Sequence, residues 1–123
     1  MPGNVFLIFG GLYGLLAVML GAFGAHALRS QLSPTSLSSW ETAVAYQMYH
    51  ALVLLVVGIW LNTDGPSTLK IAGALFAFGV VLFSGSIYAL VLTSMSWLGP
   101  VTPLGGLLLM GGWATILYSV VSS

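Results

Sequence analysis

Residues 5–28 read VFLIFGGLYGLLAVMLGAFGAHAL, and in this stretch only His26 is strongly polar. The hydrocarbon core of a bilayer, ~30 Å thick, is crossed by ~20 helical residues at ~1.5 Å each, so the run is long enough to span it. It also exceeds the ~7–15 apolar residues of a secretory signal. No Lys or Arg precedes it, so Ala25-His26-Ala27 reads as part of a retained helix and not as a cleavage site. No lipidation motif competes with that reading.

The rest of the chain repeats the pattern. Of 123 residues 59% are hydrophobic and 3% are charged, and mean hydropathy is +1.08. The four formal charges are Arg29, Glu41, Asp64 and Lys70. A soluble domain carries roughly a quarter of its residues charged, which this chain cannot do, so its solvent is lipid. The composition also excludes a nucleic-acid binder, which needs clustered Lys and Arg, and an intrinsically disordered tail. With no cysteine there is no disulfide framework, thiolate nucleophile or Cys-ligated metal.

Four spans are expected, at about 5–28, 38–61, 67–93 and 103–121, forming one all-α domain, a compact four-helix transmembrane bundle with both termini on one side. Ser38-Ser39-Trp40-Glu41 looks like a capping box opening the second span, and Asn62-Thr63-Asp64-Gly65-Pro66 stops it. Thr102-Pro103 reads as cap and first residue of the fourth. The segment 29–37 is too polar to cross and is assigned to the interface. Arg29 lies on the side of the first and third loops, here side A; Lys70 and the terminal amine lie on side B, so positive-inside counting ties.

Between apolar helices in lipid, association depends on close backbone approach and interhelical hydrogen bonds. Gly10, Gly14, Ala17, Gly21 and Gly24 recur at alternating spacings of four and three along one face of the first span, a packing stripe within the chain or between copies. Gly73 and Ala77 in the third span, and Gly105, Gly106, Gly111 and Gly112 in the fourth, extend the pattern. Trp40, Trp60, Trp97 and Tyr118 fall near expected helix ends, where amphipathic rings favour the headgroup level.

Rise per residue places the polar side chains in depth. His26, Tyr46, Gln47, His50, Ser84, Ser86, Tyr88 and Thr102 gather in the half toward side A, while the side B half is almost wholly apolar. A polar group facing lipid alone is costly, so this belt is expected to point inward and pair. Its first reading is interhelical bonding; its second is a ligand or proton site, with His50 and Gln47 sharing one flank and better placed than His26 near the interface. Glu41 reads as a helix cap and Arg29 as a headgroup anchor. Axial haem ligation by His26 and His50 conflicts with their unequal depths. A metal site from His26, His50 and Glu41 is disfavoured because Glu41 and His50 lie on opposite flanks of one helix. No acidic residue stands deep in the bundle, as a proton-coupled exporter would want, and no catalytic motif is present.

The ordered blocks Gly21-Ala22-Phe23-Gly24-Ala25-His26-Ala27-Leu28, Trp40-Glu41-Thr42-Ala43, Tyr46-Gln47-Met48-Tyr49-His50-Ala51-Leu52, Phe83-Ser84-Gly85-Ser86-Ile87-Tyr88 and Thr102-Pro103-Leu104-Gly105-Gly106 with Gly112-Trp113 cover nearly the whole chain. In them the chain resembles the small membrane proteins grouped as domain of unknown function 423, related to eukaryotic transmembrane protein 256. The resemblance implies a multi-pass protein of the bacterial inner membrane and no established activity. Its motif positions fall on His26, Gln47, His50, Ser84, Ser86, Tyr88, Thr102 and Pro103. The expected role is that of a non-enzymatic accessory or scaffolding partner of other membrane proteins, with membrane lipids, larger complexes or self-association as partners and no cofactor or metal. A lipid or quinone binder using the belt is the alternative, and a transporter or channel comes third.

Overall fold

The computed structural model describes residues 1–122 and contains four helices long and apolar enough to cross a membrane. They are α1 (Asn4–Leu28), α2 (Pro34–Asn62), α3 (Leu69–Thr93) and α4 (Val101–Val121), the last preceded by a 3-10 turn at Ser96–Leu98. The chain runs up, down, up and down through short turns. In two of these turns a non-glycine residue takes a left-handed backbone, Asp64 at φ 66° and Ser94 at φ 57°.

Two helix starts lie earlier than expected. Ser33 is the N-cap of α2, its hydroxyl accepting from the Ser36 amide, and Pro34 takes the first helical position, where its missing N–H costs nothing. The pair Ser33-Pro34 therefore outcompetes Ser38-Glu41, and residues 34–37 are helical instead of forming an interfacial loop. Thr102 does not cap α4, which begins at Val101 with no side-chain cap; its hydroxyl is turned to α3.

α2 and α3 form the central pair, with α1 laid against α2 and α4 against α3; the backbones of α1 and α4 do not approach each other among the described residues. The largest fully buried apolar side chains, Trp40, Phe76, Leu54, Leu69 and Val57, are all on the central pair. The outer faces of α1 and α4 expose large apolar groups such as Ile8, Leu15, Leu107 and Leu117. In water this would be an error of patterning; in lipid it is the solvated face.

Two helices contain wide, π-type turns, Gly24–Leu28 at the end of α1 and Val81–Gly85 within α3. Each faces a tight packing contact. A β-carbon on Gly24 would stand 2.6 Å from the Trp40 ring, and one on Gly105 would stand 2.2 Å from the Phe83 amide nitrogen. In the glycine stripe of α1, Gly10, Ala17 and Gly24 are buried, while Gly14 and Gly21 are half-buried, their β-carbon positions 3.8 Å from Ala51 and 3.2 Å from Val44.

Among the aromatic side chains expected at helix ends, Trp97 and Tyr118 are exposed and fit headgroup anchors. Trp40 does not. It is 1% exposed, two turns inside α2, and its indole donates to the Leu20 carbonyl of α1 at 2.9 Å.

Candidate functional site

Ala43, Gln47 and His50 recur at helical spacing on the inner flank of α2, and all three are buried. Gln47 stands near the midpoint of the 29-residue helix, about 20 Å from its start. Its Nε2 donates to the Tyr13 carbonyl of α1 at 2.9 Å, and its Oε1 accepts from the Tyr88 hydroxyl of α3 at 2.7 Å. The Tyr13 hydroxyl in turn donates to the Ala77 carbonyl of α3 at 2.8 Å. One amide thus ties three helices. A carbonyl must accept and a phenol here donates, so the amide can point only one way.

His50 joins the fourth helix. Its Nδ1 lies 2.7 Å from the Tyr46 carbonyl, and its Nε2 lies 3.1 Å from the Trp113 indole nitrogen of α4. A carbonyl only accepts and an indole N–H only donates, so Nδ1 carries the proton and Nε2 is bare: a neutral imidazole in one tautomer. The ring packs against Phe76 at 5.5 Å and Trp113 at 5.9 Å between centroids. Protonating Nε2 would set one N–H against another and break the link between α2 and α4.

The wide turn of α3 supplies two further bonds. Ser84 donates to the Ala43 carbonyl of α2 at 2.7 Å, and Ser86 pairs with Thr102 of α4. Seven side chains therefore connect all four helices: Tyr13, Gln47, His50, Ser84, Ser86, Tyr88 and Thr102, with Trp113 as the eighth.

Two members of the expected belt lie outside this network. His26 is exposed, in the wide turn at the end of α1, and its side chain bonds to no described residue. That turn buries Gly24 and Leu28 and leaves His26 on its exposed side. Tyr46 is 41% exposed; its ring stacks on Phe83 at 4.9 Å, and only its carbonyl enters the network. The side B half is also less apolar in its bonding than the sequence suggests. Asn62 accepts from the Gly3 amide and donates to Asn4, and Thr68 pairs with Ser119, which bonds the Thr115 carbonyl.

Tyr13, Trp40 and Trp113 are the residues that sequence reasoning missed. The available signal was position: a Tyr or Trp well inside a span, away from the headgroups, has a polar tip that needs a partner. Among the described residues no buried side-chain nitrogen or oxygen lacks a hydrogen-bond partner, and no three His, Asp or Glu side chains gather as a metal-binding group. His50 could ligate a metal or haem only by surrendering its bond to Trp113, and His26 does not face it.

Residues 20–106 match the family model described as "Protein of unknown function (DUF423)". The matched region begins at the carbonyl that holds Trp40 and ends beside the Gly105 contact. The chain is 45% identical over 120 residues to a UPF0382 membrane protein of Staphylococcus epidermidis, covering 96% of each chain. It is 46% identical over 119 residues to the UPF0382 membrane protein YwdK of Bacillus subtilis, covering 96% of this chain and 97% of that one. To a UPF0382 membrane protein of Staphylococcus saprophyticus it is 47% identical over 114 residues, covering 93% and 94%. No solved structure matches. With near full-length identity at this level, and four spans where membrane proteins of that name align, the chain belongs to the DUF423 (UPF0382) family of multi-pass membrane proteins.

Proposed function

We propose that the protein is a non-enzymatic accessory or scaffolding component of a bacterial plasma membrane, which holds or positions other membrane proteins by its outer helices. The observation that carries this reading is the complete internal pairing of the belt: every buried polar side-chain atom among the described residues is already bonded. Catalysis or solute transfer needs groups that are free to engage a substrate, and both nitrogens of His50, the best candidate, are engaged. What remains available to a partner is the apolar outer surface, of which α1 and α4 supply Ile8, Leu15, Leu107 and Leu117.

The alternative, a lipid or quinone seated among the belt residues, gains no support. Glycine contacts such as Gly10 on Leu55 and Gly112 on Phe76 close the bundle at that depth. Transport is likewise disfavoured, because the polar residues near side B pair with each other at helix ends and do not continue the belt.

Photo-crosslinking amino acids at Leu15 and Leu117, in living cells, test the proposal. One discrete protein adduct from one face, absent from the other and reproducible across growth conditions, is the expected result. Turnover of a substrate by the purified protein, abolished by His50→Ala with the fold retained, would overturn it.

A further inference from the structure

Two of the four charged side chains in the chain share one cavity. Between the end of α1 and the beginning of α2, on side A, lies a cleft of about 390 Å³. Small residues Gly21, Gly24, Ala25 and Ala45 form its walls and Trp40 its floor, and it is also lined by Arg29 and Glu41. The volume is in the ~300–1,000 Å³ range of sites that hold small organic groups. Both charged side chains are exposed, and neither makes a hydrogen bond or ion pair with another described residue.

The depth of the cleft identifies its surroundings. Arg29 follows directly on the last turn of α1, at headgroup level. Glu41 stands about 10 Å along α2 from Pro34, where the hydroxyl-rich first turns give way to the apolar run. A carboxylate at the upper edge of the hydrocarbon, with no protein partner, calls for a cationic group that also donates hydrogen bonds. An Arg in the phosphate layer calls for an oxyanion, which its guanidinium can hold with two N–H bonds. A single ligand class carries both complements in one headgroup, two carbons apart, and is already at that depth: a phospholipid whose headgroup bears a phosphate and a primary amine.

We infer that this cleft binds the headgroup of an aminophospholipid, with the phosphate on Arg29 and the ammonium on Glu41. The small side chains of α1 and α2 let the glycerol and the first acyl carbons lie against the helices. The site is separate from the belt, whose polar groups are consumed within the bundle, and it does not depend on the scaffolding role proposed above.

The probe is an equimolar mixture of phosphatidylethanolamine, phosphatidylglycerol and phosphatidylcholine, offered to the full chain in mild detergent, with retained lipid adducts counted by native mass spectrometry. Phosphatidylethanolamine adducts are expected to exceed either competitor by about two- to fivefold, the range set by a partly exposed ion pair. Glu41→Gln should bring phosphatidylethanolamine down to the phosphatidylglycerol level, because it removes only the partner of the amine. Arg29→Gln, which removes the partner of the shared phosphate, and Ala25→Phe, which fills the cleft, should each lower all three. Since Arg29 and Glu41 have no partner within the fold, unchanged circular dichroism and thermal midpoint are expected for both Gln variants. Equal retention of the three lipids by the unaltered protein, or a phosphatidylethanolamine preference that survives both Gln substitutions, would overturn the assignment. So would phosphatidylcholine retained as well as phosphatidylethanolamine, since its quaternary nitrogen cannot donate a hydrogen bond.

Discussion

The two hairpins of the bundle, α1 with α2 and α3 with α4, are both packed through glycine but tolerate intrusion differently. In the first, Gly24 meets the Trp40 ring and Gly58 the Leu7 side chain, while the backbone contacts, Gly3 on the Gly58 carbonyl and Gly10 on the Ala51 carbonyl, each face a single carbonyl group. In the second, the β-carbon position of Gly105 points into the backbone of Leu82 and Phe83 within the wide turn of α3. A side chain can change rotamer to admit a methyl group; a backbone held by its own hydrogen bonds cannot. The polar bonds differ in the same way. α1 is held by α2 side chains that donate to its carbonyls, from Gln47 and Trp40, whereas α4 is held by side-chain pairs, Ser86 with Thr102 and Trp113 with His50. Bonds to carbonyls place a helix without depending on its own side chains, so α1 keeps its register with little polar sequence of its own.

The sharpest test of this contrast is Gly105→Ala. Its methyl group must displace backbone, and the variant should lose about 3 kcal/mol of stability against unfolding in sodium dodecyl sulfate titrations. A loss below that measured for Gly24→Ala, whose β-carbon position meets only the Trp40 side chain, would break the distinction between the hairpins. Gln47→Leu comes next, because it leaves the Tyr88 hydroxyl and the Tyr13 carbonyl without their partner. A loss of about 1–2 kcal/mol is expected by the same titration, at the upper end of hydrogen-bond values measured in membranes.

Gly106→Ala should act in the opposite direction to its neighbour. Its β-carbon position is 3.7 Å from the nearest atom, the Phe83 ring, and the gain in helix propensity is up to about 0.8 kcal/mol, read as a higher unfolding midpoint. The smallest effect is the coupling between His50 and Trp113. A double-mutant cycle of His50→Phe and Trp113→Phe should return about 0.6 kcal/mol, and nitrogen-15 shifts of the imidazole should report a bare Nε2. A bare Nδ1 would mean that the second hairpin is not tied to the first through this ring.

Much of the fold was legible because lipid imposes a simple rule: the backbone must satisfy itself over ~20 residues, so long apolar runs become helices. The four spans, the inward-facing Gln47 and His50, and the belt members Ser84, Ser86, Tyr88 and Thr102 follow from that rule with helical depth. His26 was misplaced because the depth argument assumes a regular helix, and the wide turn at Gly24–Leu28 alters the rotation. No sequence pattern announced either wide turn. The start of α2 was misread for a different reason: two capping signals lay four to five residues apart, and Pro34 made the earlier one the better. Trp40 and Trp113 look like interface anchors or lipid-facing rings by type, and only their neighbours show them to be bonded across helices.

By itself, the amino-acid sequence determined the solvent, the number of crossings and the level at which polar groups collect, because each depends on local composition measured against membrane thickness. Which polar atom meets which, which glycine is indispensable, and which two charges share a cleft were decided by tertiary structure. Those relations are set by rotation about helix axes and by contacts between residues distant in the chain, such as Gln47 with Tyr13 and His50 with Trp113. A rotation of ~100° per residue turns one inserted position into a different facing, and only the packed bundle fixes it.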